Sequence, residues 1–248
     1  MTTGTGLEAQ GLGKSFDRSP ALVDLNLTVP AGEVVCLLGA NGAGKTTTIN
    51  LFLGFLAPDT GRAFVDGIDV AASPLEARRK LAYLPESVAL YPKLTGIENL
   101  AFFDGLAGGT RIDAELAQLL ADAGLPPESH SRPASTYSKG MRQKVGIAIA
   151  VARQAKTLLL DEPLSGLDPS AANSLGDLIG RMRDNGCAVL MATHDIFRAK
   201  EIGNRIGIMM QGRLVNMLDA AALDAREIES IYLEHLHESA DASAERAA

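Results

Sequence analysis

The sequence predicts an α/β fold with a mainly parallel sheet core, an N-terminal antiparallel β portion and an inserted helical subdomain. Short apolar runs at 33–38, 157–160 and 187–192 end in glycine or polar residues, as buried parallel strands do. Residues 87–140 instead carry helix signals and little strand signal. These two observations predict a parallel core that is interrupted by helices.

Composition and charge restrict the classes of function. The chain has 248 residues, of which 46% are hydrophobic, and can bury a substantial core. A net charge of −7 argues against nucleic acid as a main partner, since phosphate backbones need a basic face. Cys36 and Cys187 lie in apolar runs, so we expect buried, reduced thiols of a cytosolic protein. Residues 1–6 lack signal-peptide features, and no apolar run approaches the ~20 residues that span a bilayer.

Strand and turn signals organise the first part of the chain. Residues 7–38 alternate and carry turn signals, which predicts short, partly antiparallel strands. Further strand signals appear at 64–65 and 81–84. Between them, Ser73-Pro74 indicates the start of a helix with proline at its first position.

A glycine-rich motif follows the predicted strand at 33–38. Residues 39–47 match G-x-x-x-x-G-K-[ST], and apolar residues at helical spacing come next. The glycines let successive N–H groups face one anion, Lys45 reaches the β- and γ-phosphates, and the Thr46 hydroxyl ligates Mg²⁺. The alternative is a glycine-rich turn without a ligand. The predicted nucleotide contacts in this phosphate loop are Gly39, Asn41, Gly42, Ala43, Gly44, Lys45, Thr46 and Thr47.

Carboxylates follow the leucine-rich run at 157–160. Ligands collect at the carboxyl ends of buried parallel strands, so Asp161 and Glu162 are expected beside the phosphate loop. Asp161 would hold Mg²⁺ through its water, and Glu162 would polarise the water that attacks the γ-phosphate. The alternative is a strand followed by a solvated acidic turn.

Two further side chains have both a functional and an ordinary interpretation. His194 ends the apolar run at 187–192 and could donate to the γ-phosphate and orient the water, or it could be a loop residue. Phe16 follows Lys14-Ser15 in a polar stretch. It could stack on adenine, or it could be a half-buried strand aromatic.

The segment 87–140 is predicted to be a helical insertion. Thr95 and Glu98 form a capping box that opens a helix at 99–106, and a second helix runs from about 112 to 123. The segment is unusually aromatic for this chain. Most of these side chains are expected in the core, with one or two lining a groove for a partner, and they are Leu90, Tyr91, Phe102 and Phe103.

The sequence of the last part of the chain predicts a hairpin at 206–215 and a helix at 220–236, with fraying at 239–248.

The expected domains are an ATP-binding core with the antiparallel β portion (7–86 and 141–218), the inserted helical subdomain (87–140), and a C-terminal helix with a frayed tail (219–248).

Taken in order, these motifs resemble the ATP-binding subunit of an ABC transporter, from Leu7 to Val215. The resemblance implies a P-loop NTPase of the ABC-ATPase fold that hydrolyses ATP. Phe16 falls where this family has its adenine-stacking aromatic, and His194 falls at the switch histidine. The resemblance thus makes Glu162 and His194 the catalytic pair, with ATP and Mg²⁺ as ligands.

Residues Tyr137–Met141 match the family signature, usually Leu-Ser-Gly-Gly-Gln. Ser138 opens a predicted helix, and Ser-x-Gly at a helix N-terminus is a second phosphate site. In the family this site caps the γ-phosphate of the opposite subunit, which implies a C₂ homodimer. The loop Ser165–Asp168 matches the one that crosses the dimer interface. The implied contacts with the partner's ATP are Ser138, Lys139, Gly140, Met141 and Asp168.

The chain departs from the family pattern at two places. Lys139 and Met141 replace the usual glycine and glutamine of the signature, while Ser138 and Gly140 are kept. Glu86 stands where most members have a glutamine that touches Mg²⁺ or the attacking water. A glutamate can still bind Mg²⁺, but it cannot donate a hydrogen bond and it adds a charge near the phosphates. The implied metal ligands are Thr46, Glu86 and Asp161.

These departures resemble the ABC-2-type exporter branch, whose ATPases serve drug, lipid, polysaccharide or metalloenzyme-maturation exporters. The resemblance implies a separately encoded permease that docks near Leu90–Phe103, and a location at the cytoplasmic face of the membrane. One alternative is a soluble, non-transport ABC ATPase of regulatory, repair or translation type. The chain has one cassette, and its insertion lacks sustained heptads. The other alternative, a P-loop kinase or GTPase, leaves the signature unexplained.

Overall fold

The computed structural model describes residues 5–17 and 19–247, and the side chains of residues 6–17 and 19–238. Residues 1–4, on which most of the prediction about a signal peptide rests, lie outside this description. Within the described residues, no helix is both long and apolar enough to cross a bilayer.

The elements alternate between strands and helices along most of the chain. The strands are β1 (Thr5–Phe16), β2 (Ser19–Pro30), β3 (Val34–Leu38), β4 (Thr60–Val65), β5 (Ile68–Asp69), β6 (Leu81–Leu84), β7 (Thr157–Asp161), β8 (Ala188–Thr193), β9 (Arg205–Met210) and β10 (Arg213–Asp219). The helices are α1 (Lys45–Phe52), α2 (Pro74–Lys80), α3 (Gly96–Leu106), α4 (Asp113–Asp122), α5 (Lys139–Ala152), α6 (Pro169–Asp184), α7 (Ile196–Ile202) and α8 (Ala225–Ala247). Two short 3₁₀ helices lie at Pro127–Ser129 and Ala134–Thr136.

The larger sheet has the order β10-β9-β3-β8-β7-β6, and all its neighbouring strands are parallel except the β9–β10 hairpin. Every residue of β3, β7 and β8 is buried, as their continuous apolar runs predict. In the register of these strands Leu38 lies beside Thr193, and Asp161 lies beside Ala192. The carboxyl ends of three central strands therefore meet at one edge of the sheet.

The predicted antiparallel β portion forms a second sheet with the order β2-β1-β4-β5. One hydrophobic cluster joins its inner residues to α1 and to the central strands of the larger sheet, for example Leu25, Ile49 and Leu190. A second cluster covers the other face of the larger sheet and includes Leu38, Ile147 and Leu175. The larger sheet is thus packed on both faces, as a mainly parallel sheet requires.

Helices fill the segment between β6 and β7. The predicted capping box is confirmed, since Thr95 Oγ1 accepts a hydrogen bond from the Glu98 amide and Glu98 Oε2 accepts one from the Thr95 amide. This cap starts α3 at Gly96, three residues before the predicted start at 99. Helix α5 packs against α3, α4 and β6. The predicted domain boundary at 140/141 therefore falls in the first turn of a helix that contacts both parts.

The C-terminal helix differs from its prediction at both ends. Asp224 Oδ1 accepts hydrogen bonds from the amides of Arg226 and Glu227, and Glu227 Oε2 accepts one from the Asp224 amide. This reciprocal cap starts α8 at Ala225 rather than at 220. The backbone continues as helix to Ala247, through residues that we placed in a frayed tail, because alanine favours helix. Ala248 lies outside the described residues.

Both cysteines are free and buried, as predicted. Burial raises the pKa of the Cys36 thiol to about 12 and that of the Cys187 thiol to about 11. Because the thiolate is the reactive form, neither side chain is a nucleophile at neutral pH.

We therefore expect the native chain to resist a thiol-specific colorimetric reagent at pH 8. Burial and the raised pKa values should slow labelling by about two orders of magnitude relative to free cysteine. Unfolding in guanidinium should release both thiols, and the two cysteines of the sequence set the end point. Rapid labelling of the native chain would contradict the packing described for β3 and β8.

Candidate nucleotide-binding site

The phosphate loop (residues 39–47) connects the carboxyl end of β3 to α1 in a tight space. Gly42 and Gly44 adopt positive φ angles of 82° and 104°. A Cβ atom at Gly39 would lie 2.6 Å from the Met209 carbonyl oxygen, and one at Gly44 would lie 2.7 Å from the Ala21 carbonyl oxygen. Backbone conformation therefore favours glycine at positions 42 and 44, and close approach requires it at positions 39 and 44.

Some of the other phosphate-loop residues are exposed to solvent and others are buried. Asn41 and Gly42 are exposed at the tip, whereas Ala43 is buried and its carbonyl accepts a hydrogen bond from the Gly212 amide at 3.0 Å. Thr47 is half-buried in the first turn of α1. The predicted anion site of backbone N–H groups would lie at this exposed tip and the N-terminus of α1.

Lys45 is buried, and its ammonium group lies under the loop. Its Nζ donates to the carbonyl oxygens of Gly39 at 2.6 Å and Ala40 at 3.2 Å, and it lies 3.6 Å from Glu162 Oε1. A buried charge needs such partners, and a bound phosphate could replace them without moving the backbone.

Thr46 and Asp161 meet at the mouth of the loop, where Thr46 Oγ1 donates to Asp161 Oδ1 at 3.3 Å. Burial raises the pKa of the Asp161 carboxyl, and the charges of Glu162 and Glu86 add to this. The hydrogen bond from Thr46 and the charge of Lys45 lower the same pKa but do not cancel the rise. Asp161 thus lies among other carboxylates, and a bound cation would relieve their mutual repulsion.

Glu162 has a strained backbone and one oxygen, Oε1, that is paired with the Lys45 charge but accepts no hydrogen bond from the described part of the chain. Its φ is +47°, and its amide donates to the Ala192 carbonyl of β8 at 3.0 Å. Oε2 lies 2.9 Å from His194 Nδ1, whereas the buried Oε1 has no hydrogen-bond partner within the described residues. Such strain accumulates at functional sites, and a buried oxygen without a hydrogen bond can accept one from a water or a ligand.

Phe16 ends β1, on the hairpin whose second strand contacts the phosphate loop through Ala21 and Gly44. Its side chain is 44% exposed, and Lys14 Nζ lies 5.9 Å from the ring centroid. Lys14 is held by Asp59 at 2.9 Å. The ring is therefore partly exposed, and its stacking role stays a prediction.

The signature residues contact other elements of their own chain. Ser138 Oγ caps α5 by accepting from the Met141 amide at 3.2 Å, and Asp168 caps α6 by accepting from the Ala171 amide at 3.0 Å. Gly140 is buried in the first turn of α5. Lys139 Nζ lies 3.4 Å from Glu86 Oε1. None of these contacts involves the phosphate loop, and the predicted contacts of these residues with a second copy's nucleotide stay a prediction.

The sequence predicted most of this cluster but missed two ion pairs. The structure brings together the phosphate loop, Asp161, Glu162 and His194, as expected from the strand ends at which they lie. The Lys45–Glu162 pair and the Lys139–Glu86 pair were not anticipated. The second pair joins residues 53 positions apart, and no spacing rule covers such a distance. Glu86 is exposed and turned to Lys139, so its predicted role toward a metal stays a prediction.

The predicted partner groove contains a packed aromatic group of Tyr91, Phe102 and Phe103. The ring centroids of Tyr91 and Phe102 are 4.7 Å apart and those of Phe102 and Phe103 are 5.4 Å apart, both edge to face. Buried Asn99 anchors the group, accepting from the Tyr91 amide at 2.8 Å and donating to its carbonyl at 3.1 Å. Leu90 is half-buried beside them, while Tyr91 and Phe102 are exposed.

A family model described as ABC transporter matches residues 22–165, more than half of the chain. The chain belongs to the ABC transporter family. It is 36% identical over 211 residues to the daunorubicin/doxorubicin resistance ATP-binding protein DrrA of Streptomyces peucetius, covering 84% of this chain and 64% of the relative. It is 38% identical over 197 residues to the human retinal-specific phospholipid-transporting ATPase ABCA4, covering 79% of this chain and 9% of that protein. The chain thus spans less than two thirds of either relative.

Solved structures of the ABC family agree in fold. The structure of an ATP-binding subunit of an ABC transporter superposes with a TM-score of 0.81 at 31% identity, over 93% of this chain and 99% of that one. A dimeric ATP-binding cassette in a post-hydrolysis state, bound to ADP and Pi, superposes with a TM-score of 0.78 at 24% identity. It covers 86% of this chain and 98% of that chain, and at this identity it shows the fold alone.

The phosphate loop generates a stability prediction. An alanine at Gly44 meets both a left-handed backbone and the Ala21 carbonyl, whereas an alanine at Gly42 meets the same kind of backbone and no atom within 4 Å. We expect Gly42→Ala to lower the free energy of unfolding by about 1–2 kcal/mol. Gly44→Ala should cost about 1–3 kcal/mol more, because the added methyl is overpacked. Urea unfolding of both variants measures the difference, and equal costs would mean that the loop has room at Gly44.

Proposed function

We propose that this chain is the ATP-binding and ATP-hydrolysing motor subunit of an ABC exporter. The carrying observation is that Lys45, Thr46, Asp161 and Glu162 converge at one sheet edge, below a glycine loop at a helix N-terminus. Lys45 would bind phosphate, Thr46 and Asp161 would bind the metal, and Glu162 would accept a hydrogen bond from the water. The proposal therefore rests on the site together with the family.

In the proposed complex, the loop amides and the N-terminus of α1 hold the phosphates, and Lys45 exchanges its carbonyl partners for the β- and γ-phosphate oxygens. Phe16 stacks on the adenine from the adjacent hairpin. The remaining contacts would come from Gly39, Asn41, Gly42, Ala43, Gly44, Thr46 and Thr47. These residues bind and orient the nucleotide but transfer no proton.

The residues also fit Mg²⁺. Sites that hold Mg²⁺ with a nucleotide use one or two protein oxygens, and the phosphates and water supply the rest. The Thr46 hydroxyl and Asp161 carboxylate present such oxygens, and the Glu86 carboxylate, now paired with Lys139, would have to turn toward them to add a third. Among the described residues no group of three or more His, Cys, Asp or Glu side chains forms a closed metal site. When bound, Mg²⁺ would neutralise charge on the phosphates.

Glu162 and His194 carry the proposed proton transfer. Once Lys45 has turned to the phosphates, a water placed against Glu162 Oε1 would donate a hydrogen bond to that oxygen and lose a proton to it while the water oxygen attacks the γ-phosphorus. The bond from the γ-phosphorus to the bridging oxygen breaks, leaving ADP. His194 Nδ1, at 2.9 Å from Oε2, would position the carboxylate, and we propose that the histidine also donates to the γ-phosphate and orients the water.

Two copies are proposed to close on two nucleotides. Ser138 and Gly140 at the start of α5 form a helix N-terminus that Lys45 of the same chain does not use. A second copy in an isologous C₂ arrangement would present these residues, with Met141 and Asp168, to the other copy's γ-phosphate, whereas the Lys139 ammonium lies 3.4 Å from Glu86 of its own chain. The neighbour described as a dimeric cassette with ADP and Pi supports this arrangement.

A membrane permease is the proposed partner, and the cytoplasmic face of the membrane is the proposed location. The relatives are named for drug resistance and phospholipid transport, which favours export of an apolar or amphipathic cargo over the soluble, non-transport alternative. The proposed docking surface is the aromatic group with Leu90, because exposed rings on a rigid base make good interface anchors. ATP-driven closure would then move the permease.

Replacing the proposed base tests the mechanism. Glu162→Gln should still bind ATP but lose turnover by about 10²- to 10⁴-fold, because the amide cannot take the proton. Steady-state phosphate release measures turnover, and size-exclusion chromatography with ATP should reveal a trapped dimer. The exposed Glu128→Gln is the matched control. Wild-type turnover in Glu162→Gln would remove Glu162 from the role of base.

Replacing the loop lysine tests nucleotide binding itself. Lys45→Ala should weaken the binding of a fluorescent ATP analogue at least about tenfold, because the phosphates lose a charge-assisted hydrogen bond. The exposed Lys93→Ala changes the net charge equally and should bind as wild type. Circular dichroism checks that the buried substitution still folds. Unchanged affinity in a folded Lys45→Ala would mean that the loop does not hold the phosphates.

A further inference from the structure

Two residues that depart from the family pattern, Lys139 in the signature and Glu86 at the usual glutamine position, contact each other. Lys139 Nζ lies 3.4 Å from Glu86 Oε1, although the residues are 53 positions apart. Lys139 is the first residue of α5, and Glu86 follows the end of β6. The ion pair therefore connects the signature helix to the segment that ends beside Asp161.

The backbone around this ion pair is held by other contacts. Gln143 Nε2 donates to the Glu86 carbonyl at 2.9 Å and to the Pro85 carbonyl at 3.4 Å. Gly146 lies so close to β6 that a methyl group at this position would collide with the Leu84 side chain. The first two turns of α5 thus pack directly on residues 84–88. Removal of Lys139 would change the direction and charge balance of the Glu86 side chain while this backbone packing stays.

The Lys139–Glu86 ion pair affects the charge next to the proposed phosphate site. β6 runs parallel to β7 with Leu84 beside Leu160, so Glu86, two residues beyond the end of β6, lies at the same sheet edge as Asp161. An unpaired carboxylate at position 86 would add repulsion toward the phosphates, which only a bound cation could relieve. Lys139 supplies a positive charge in the same subunit. Its side chain also runs past Gly166, which has no Cβ to displace it.

We propose that Lys139 is a positioning residue for Glu86 within one subunit, and that the two act as a single charge-balanced unit in nucleotide binding. Lys139 holds the Glu86 carboxylate toward α5, away from Asp161, so that nucleotide can enter before Mg²⁺ is in place. Lys139 then sets how strongly nucleotide binding depends on Mg²⁺. This inference rests on the proposed function of the site. It assigns Lys139 a partner in its own chain, in contrast to a contact with the other subunit's nucleotide.

A double-mutant cycle tests the inference by equilibrium binding. The proteins are wild type, Lys139→Met, Glu86→Gln and the double variant. For each, the dissociation constant of a fluorescent ATP analogue is measured with saturating Mg²⁺ and with Mg²⁺ removed by chelation. The ratio of the two constants is the Mg²⁺ dependence. Lys139→Arg keeps the charge, and Lys144→Met removes another lysine of α5, whose Nζ donates to the Gly124 carbonyl at 2.9 Å.

We expect Lys139→Met to increase the Mg²⁺ dependence about three- to fivefold, the size that an exposed ion pair allows. In the Glu86→Gln background the same change should alter it by less than about twofold, because no carboxylate remains to be balanced. Lys139→Arg and Lys144→Met should resemble wild type. The effect of Lys139→Met should also shrink in high salt, since this pair is solvent-accessible.

An equal effect of Lys139→Met in both backgrounds would overturn the inference, because Lys139 would then act on the nucleotide directly. No effect in either background would overturn it as well. If Lys144→Met changed the Mg²⁺ dependence as much as Lys139→Met does, the effect would come from the net charge of the protein and the inference would be wrong. If wild type fails to bind the analogue under any condition, the proposed function fails instead, and the two failures are thereby distinguished.

Discussion

The parallel register of the central strands is the constraint on which the site depends. Because Leu38 pairs with Thr193 and Asp161 pairs with Ala192, β3, β7 and β8 end at one edge. Each strand is buried throughout, so a slip of one residue would place polar end residues in the core. The same register holds the strained Glu162 backbone, whose amide bonds to the Ala192 carbonyl. Strand packing and site geometry therefore have one physical cause.

Without nucleotide, the site contains more negative than positive charge. Lys45 is shared between two backbone carbonyls and Glu162, and burial keeps the pKa of Asp161 raised. Such an arrangement favours a ligand that brings its own cation and accepts the lysine's hydrogen bonds. Lys139 gives the neighbouring Glu86 a counter-charge at 3.4 Å. A nucleotide with Mg²⁺ satisfies these demands together, which connects the electrostatics to the proposed reaction.

Local patterns predicted the fold and most of the candidate site. The phosphate loop could be recognised because glycines, a lysine and a threonine must occur at fixed offsets, and Asp161 and Glu162 because they end an apolar strand. The start of α8 was missed by five residues, since the Asp224 cap was not recognised in the sequence. The Lys139–Glu86 pair depends on how α5 packs against β6, and no local pattern encodes that contact.

The central claim is that this sheet edge binds ATP with Mg²⁺ through the lysine that is now held by the loop's own carbonyls. The most direct test is a crystal structure with a non-hydrolysable ATP analogue and Mg²⁺. The account predicts Lys45 Nζ on the β- and γ-phosphate oxygens, the metal at Thr46 and Asp161, and a water against Glu162 Oε1. An analogue bound elsewhere, or one bound here while Lys45 stays on the Gly39 carbonyl alone, would contradict it.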